Sequence, residues 1–113
     1  MIMKFSEREG RGGVIIVELE GRMDSEGVSQ IEGRLSEISA MGRGLVIDMC
    51  RVDYMASLGI RKLLQTAKSL AASGKKLALV SPQSLVLGVL KVANIDSVIA
   101  ILPNIDEAAD FVK

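Results

Sequence analysis

Histidine and tryptophan are absent from this sequence of 113 residues, which has one tyrosine, two phenylalanines and one cysteine. Without histidine, Ser-His-Asp catalysis, Cys-His catalysis and histidine-bearing metal sites are excluded. So few aromatic side chains cannot form the stacking platforms of single-stranded nucleic-acid binding proteins. The lone Cys50 cannot form an intramolecular disulfide, which favours a reducing compartment. We therefore expect a protein that is not an enzyme and that uses no cofactor or metal ion.

An excess of charge and a long hydrophobic run are also missing. Fourteen basic and fourteen acidic residues give a formal net charge of zero, so no overall field attracts nucleic acid or an anionic membrane. The longest uncharged run, Leu77 to Leu90, is interrupted by Pro82 and Gln83 and is too short to cross a bilayer. Acidic residues near the start of the chain do not suit a signal peptide. We expect a cytoplasmic protein without nucleic-acid binding or membrane insertion.

Segments of strand and helix character alternate along the chain, whose length and 49% hydrophobic content suit one compact domain. Two strands flanking Gly10-Arg-Gly-Gly13 predict a hairpin, because glycine tolerates the backbone angles of tight turns. Asp24 or Ser25 can cap the first helix. The pattern predicts an α/β fold: a mixed sheet of about five strands with about four helices. The predicted strands are 4–9, 14–20, 45–49, 77–80 and 98–102, and the later helices begin near Ser57, Ser84 and Ile105.

Ser57 lies where a predicted strand passes into the second helix. As an ordinary N-cap, its hydroxyl would accept a backbone N–H of the first turn. As a phosphorylation site, it would place a phosphate at a helix N-terminus, where free N–H groups and the helix dipole accommodate negative charge. Local sequence favours the N-cap interpretation over the phosphorylation site.

The second helix has an uneven charge distribution, because residues 51–76 carry a net charge of +5. Residues 92–113 carry a net charge of −3. One interpretation is a solvated helix face that maintains solubility. The other is a docking face for an acidic patch on a partner.

The segment Val52-Asp-Tyr-Met-Ala-Ser-Leu-Gly-Ile-Arg61 resembles the STAS domain, a family that includes anti-sigma factor antagonists. Gly21-Arg-Met-Asp24 resembles the family's Gly-x-Leu-Asp at the end of the second strand, and the order of elements is similar over residues 1–113, which we expect to be a single STAS domain. The resemblance implies that Ser57 is phosphorylated and that Asp24 lies in the neighbouring loop. The partner-binding surface that it implies comprises Asp24, Met55, Ala56, Ser57, Leu58, Gly59, Arg61 and Lys62.

In function, the resemblance implies a regulator that switches partners. The unphosphorylated domain would bind an anti-sigma factor that is also an ATP-binding serine kinase, and would thereby release a sigma factor. Phosphorylation of Ser57 would end that binding, and a PP2C-type phosphatase would restore it.

Two alternative hypotheses remain. Ala56 stands where the family usually has Asp, and Leu58 stands where it has a second serine. These departures favour a STAS adaptor that is bound permanently in a larger transport or signalling complex and is never phosphorylated. The six methionines and the uncharged stretch 77–90 suggest a small-molecule binding module instead.

Overall fold

The computed structural model describes residues 2–113. Its five strands form one mixed sheet in the order β1-β2-β3-β4-β5. β1 pairs antiparallel with β2 as the predicted hairpin, and the other neighbouring strands are parallel. The predicted α/β class and mixed sheet are therefore confirmed. The strands are β1 Lys4–Glu9, β2 Ile15–Met23, β3 Leu45–Met55, β4 Leu77–Val80 and β5 Ala100–Leu102.

Four helices follow or connect these strands: α1 Ser25–Ser39, α2 Ser57–Ala72, α3 Ser84–Val92 and α4 Ile105–Val112. Side-chain caps begin two of them, since Asp24 accepts from the Gly27 N–H and Asn104 accepts from the Glu107 N–H. Short 3-10 turns occupy 11–13 and 95–97. Within residues 2–113, no helix combines the length and apolar character that crossing a membrane requires.

Three strands differ in length from the prediction. β2 continues to Met23 and β3 continues to Met55, because Gly21 pairs with Val52 and Met23 pairs with Met55. Pairing between strands distant in sequence therefore extends them beyond the apolar runs from which they were predicted. β5 begins at Ala100 rather than at residue 98, because the preceding chain is held in a turn by the Ile99 N–H bond to the Ile95 carbonyl.

The two faces of the sheet carry different numbers of helices. Helices α1, α2 and α3 pack on one face over the main core, whose largest buried side chains include Leu19, Met23, Ile31, Leu35, Ile47, Leu63, Leu79 and Leu90. On the opposite face, α4 packs Ala108, Ala109 and Val112 against the inner strands. Apolar residues on both sides of β2, β3 and β4 are thus explained by two separate cores. The main core includes Met23, Val52 and Met55, and it therefore supports the carboxyl ends of β2 and β3, where the candidate site lies.

Candidate partner-binding and phosphorylation site

The parallel pairing of β2 and β3 brings two distant segments of the chain to one edge of the sheet. Met23 is in register with Met55, and the Ala56 N–H donates to the Met23 carbonyl oxygen at 3.0 Å. Asp24 and Ser57 are the next residues of the two segments. The structure therefore brings together the two residues that the family resemblance singled out, at the start of α1 and of α2.

Asp24 is the N-cap of α1, which confirms one of the two capping residues proposed from the sequence. Its Oδ1 accepts from the Gly27 N–H at 2.8 Å, and its Oδ2 accepts from Arg22 Nε at 3.4 Å. The Gly27 N–H bond, supported by Arg22, holds the pKa of the Asp24 carboxyl below its ordinary value. The edge of the site therefore carries a fixed negative charge at neutral pH.

Ser57 is exposed and is the first helical residue of α2, so its interpretation as an N-cap is wrong. The cap is Ala56, whose carbonyl accepts from the N–H groups of Gly59 and Ile60 at 2.9 and 3.2 Å. The physical reason is that β3 continues to Met55, which moves the turn into the helix onto Ala56. Among the described residues, the Ser57 hydroxyl has no hydrogen-bond partner, and alanine provides no side-chain cap. The hydroxyl and the N–H groups of Ser57 and Leu58 are thus available to another molecule.

Met55 and Gly59 are buried beneath this turn, so they support the surface without forming it. A Cβ atom on Gly59 would lie 2.6 Å from Met55 Sδ and 3.0 Å from the Met23 carbonyl oxygen. Only glycine therefore allows α2 to begin so close to the ends of both strands. Among the predicted surface residues above them, Leu58 is 40% exposed and Ala56 is partly exposed.

Arg61 and Lys62 have different environments, although the sequence analysis placed both on the partner-binding surface. Arg61 is exposed on α2. Lys62 is only 8% exposed, and its Nζ donates to Ser36 Oγ of α1 at 2.8 Å. From its place outside the apolar stripe of α2, Lys62 would be expected on the exposed face; instead α1 packs against this side of α2, and the long lysine stem lies between the two helices. Lys62 therefore joins α1 to α2.

Arg22 and Tyr54 extend the candidate site beyond the predicted residues. They are in register on β2 and β3, and the Arg22 guanidinium carbon lies 4.1 Å from the centre of the Tyr54 ring. A cation over an aromatic face is favourable. Tyr54 belongs to the motif that signalled the family, but its contact with Arg22 depends on two shifts of strand register, between Glu18 and Glu20 and between Gly21 and Arg22. No local signal predicts such shifts.

An apolar groove begins one helical turn from Ser57, where Ile60 of α2 faces α3. Its volume is about 490 Å³. Leu85 is 70% exposed and Val92 is 91% exposed, which is unusual for large aliphatic side chains in one short helix. We call this apolar groove the α2–α3 groove; it is lined by Ile60, Ser84, Leu85, Gly88, Val89, Val92 and Ala93.

In residues 2–113, no three His, Cys, Asp or Glu residues lie together as metal ligands would.

The family model of the STAS domain matches residues 6–108. This chain belongs to the STAS family. The matched range runs from β1 into α4 and includes both halves of the site. Membership confirms the resemblance inferred from the segment Val52–Arg61.

One curated relative of this STAS domain is BtrV of Bordetella bronchiseptica, which is named as an anti-sigma factor antagonist. The two sequences are 36% identical over 59 residues, which cover 51% of this chain and 51% of BtrV. The match thus spans about half the length of that curated relative.

Solved structures share the fold of this STAS domain. An anti-sigma factor antagonist from Mycobacterium paratuberculosis gives a TM-score of 0.87 at 21% identity, covering 97% of this chain and 93% of that chain. Phosphorylated SpoIIAA of Bacillus gives 0.73 at 20% identity, covering 97% and 100%. Unphosphorylated SpoIIAA gives 0.72 at 19% identity, covering 96% of each chain. These likenesses confirm the predicted STAS fold.

Proposed function

We propose that this STAS domain is an anti-sigma factor antagonist whose binding to its partner is ended by phosphorylation of Ser57. The observation that carries the proposal is the position of Ser57: exposed, first in α2, and without a capping role. BtrV is named as an anti-sigma factor antagonist, and SpoIIAA has been solved in a phosphorylated form, which supports the same function here.

A phosphate on Ser57 is compatible with the fold. Ala56 offers no side-chain acceptor, so the first N–H groups of α2 remain open, and the helix dipole favours negative charge at this end. Phosphorylation would add about −1.5 to −2 charges at neutral pH. Asp24 follows the end of β2, which pairs with the end of β3 just before Ser57, and its carboxylate is already ionised. Phosphorylation would therefore make this surface strongly negative. The expected effect is therefore on the surface and not on the stability of the domain.

The unphosphorylated surface suits a protein partner. Leu58 and the α2–α3 groove supply apolar contact area near the start of α2, and Arg61 supplies an exposed charge. A partner that buries the neutral Ser57 hydroxyl would have to desolvate a phosphate dianion in the modified protein, which opposes binding. We propose that the partner is an anti-sigma factor with ATP-dependent serine kinase activity, and that a PP2C-type phosphatase reverses the modification.

The test is a pull-down from the native lysate with wild type, Ser57→Asp and a matched control, Ser69→Asp. Ser69 is exposed on the same helix, far from the first turn, so its variant adds the same charge elsewhere. We expect wild type and Ser69→Asp to recover an ATP-binding anti-sigma factor, and Ser57→Asp to lose it. Incubating the recovered complex with ATP should then label Ser57, as identified by mass spectrometry.

Two outcomes would contradict the proposal. Equal recovery of one partner by wild type and Ser57→Asp would indicate a constitutive adaptor, the alternative that the Ala56 and Leu58 departures favour. Persistent labelling of Ser57→Ala by the recovered kinase would show that another residue carries the phosphate.

A further inference from the structure

A second cavity lies at the opposite end of α2 from Ser57. Its volume is about 370 Å³, within the range of about 300–1,000 Å³ that small-molecule sites occupy. It opens between the second half of α2, the start of β4 and the start of β5. We call it the distal cavity; its apolar lining includes Leu64, Ala67, Ala71, Leu77, Val98 and Ala100.

Three lysines surround this apolar lining: Lys68 on α2, and Lys75 and Lys76 in the turn before β4. Lys76 Nζ lies 4.7 Å from the centre of the Phe111 ring, which belongs to α4 and also lines the cavity. Among residues 2–113, no carboxylate lines the cavity, and no acidic side chain lies within ion-pair distance of the three lysines. Three uncompensated positive charges at one apolar cavity favour an anion.

These lysines make up half of the basic residues between 51 and 76, the segment whose excess charge is unexplained by the proposed function. Of the other basic residues there, Arg51 bonds to Glu20 and Lys62 bonds to Ser36. The positive charge left unpaired in residues 51–76 is therefore concentrated around the distal cavity, with Arg61 near the opposite end of α2.

We propose that the distal cavity binds a small amphipathic anion: a free molecule with one carboxylate or phosphate group on a short hydrocarbon chain. The chain would occupy the apolar lining, where burial removes its CH₂ groups from water. The anionic group would remain at the rim, within reach of Lys68, Lys75 and Lys76. Because α2 separates this cavity from Ser57, its occupation does not require the partner-binding surface, and the proposal stands independently of the proposed function.

The test uses octyl phosphate as the probe, with binding followed by amide chemical shifts in NMR, since the chain has no tryptophan for fluorescence. We expect shifts at Lys68, Lys75, Lys76 and Val98. The combined variant Lys68→Gln, Lys75→Gln and Lys76→Gln should bind about tenfold more weakly, a loss of about 1.4 kcal/mol, because it removes three individually weak surface charge interactions. The matched control, Lys4→Gln with Arg8→Gln and Lys91→Gln, removes the same number of positive charges from exposed positions elsewhere and should bind like wild type.

Several results would overturn the assignment. Equal affinity for inorganic phosphate or for octanol would show that the site recognises only a charge or only a chain. Shifts confined to Leu85 and Val92 would place the probe in the α2–α3 groove. Binding of phosphatidylglycerol vesicles without binding of octyl phosphate would indicate a lipid surface. The same circular dichroism spectrum for both variants and wild type would show that lost binding is not lost folding.

Discussion

Alanine substitution at Gly27 should destabilise the domain, whereas the same substitution at Gly33, in the same helix, should stabilise it. Both glycines belong to α1. A Cβ atom on Gly27 would collide with the carbonyl oxygen of Arg22, whereas a Cβ atom on Gly33 would meet nothing within 4 Å. Gly27 also donates its N–H to the Asp24 carboxylate at 2.8 Å. The pair of variants therefore tests how closely α1 approaches the end of β2, the approach that positions Asp24.

The magnitudes follow from two opposing effects. Alanine in a helix interior is favoured over glycine by about 0.5–1 kcal/mol, which should raise the free energy of unfolding of Gly33→Ala by that amount. In Gly27→Ala, α1 must shift away from a backbone oxygen that cannot rotate aside, and such overpacking costs about 1–3 kcal/mol. The shift also strains the bond between Gly27 and Asp24. We expect a net loss of about 1–2 kcal/mol, or about 4–8 °C in the melting temperature of a domain of this size.

Urea unfolding followed by far-ultraviolet circular dichroism measures both variants against wild type. An unfolding midpoint for Gly27→Ala at or above that of wild type would refute the close approach of α1 to Arg22. If Gly33→Ala also lowered the midpoint, steric contact would not be the cause of the difference between the two sites.

Three further predictions concern individual side chains. Replacing Arg61 with Gln should weaken partner binding about threefold, whereas Lys62→Gln should lower the stability of the domain and leave binding unchanged. Equal losses of affinity for both variants, in a titration with the purified partner, would contradict the burial of Lys62. The pKa of the Asp24 carboxyl is lower in the folded state than its ordinary value of 3.8. The ionised carboxylate therefore stabilises the fold fully above pH 3.8, and this contribution is lost as the pH falls through the pKa of the folded state. The stability difference between wild type and Asp24→Asn should therefore narrow below about pH 4 in urea titrations, and a gap independent of pH would refute the ionised cap. Cys50 is exposed, but partial desolvation of its thiol, and then its interaction with Asp48, raise its pKa. Iodoacetamide should therefore modify it more slowly than free cysteine at mildly alkaline pH, and Asp48→Asn should accelerate the reaction; an unchanged rate in the variant would exclude Asp48 as a cause.

Ser57 shows where inference from local sequence reached its limit. The transition from strand to helix near residue 57 was predictable, because an apolar run is followed there by an amphipathic pattern. Which residue caps the helix depended on where β3 ends. That end is set by the pairing of Met55 with Met23, more than thirty residues earlier in the chain. The exposed Ser57 hydroxyl, which has no capping role and supports the proposed switch, therefore depends on the pairing of strands in the sheet.

Local patterns alone determined the elements whose signals lie within a few residues. The glycines after β1 predicted the hairpin, the starts of α3 at Ser84 and of α4 at Ile105 were predicted correctly, and the motif around Ser57 identified the family. These signals suffice because turn geometry, capping and helical periodicity act over one or two turns of chain.

Tertiary structure decided the features that depend on distant segments. The burial of Lys62 follows from the packing of α1 on α2, and the stacking of Arg22 on Tyr54 follows from register shifts between β2 and β3. The distal cavity likewise combines α2, β4, β5 and α4, which is why three lysines of one basic segment surround an apolar space. Periodicity shows which residues of a helix are apolar, but contacts between residues far apart in sequence determine the surface against which the helix packs. Those contacts decide which polar side chains are buried and which apolar side chains remain exposed.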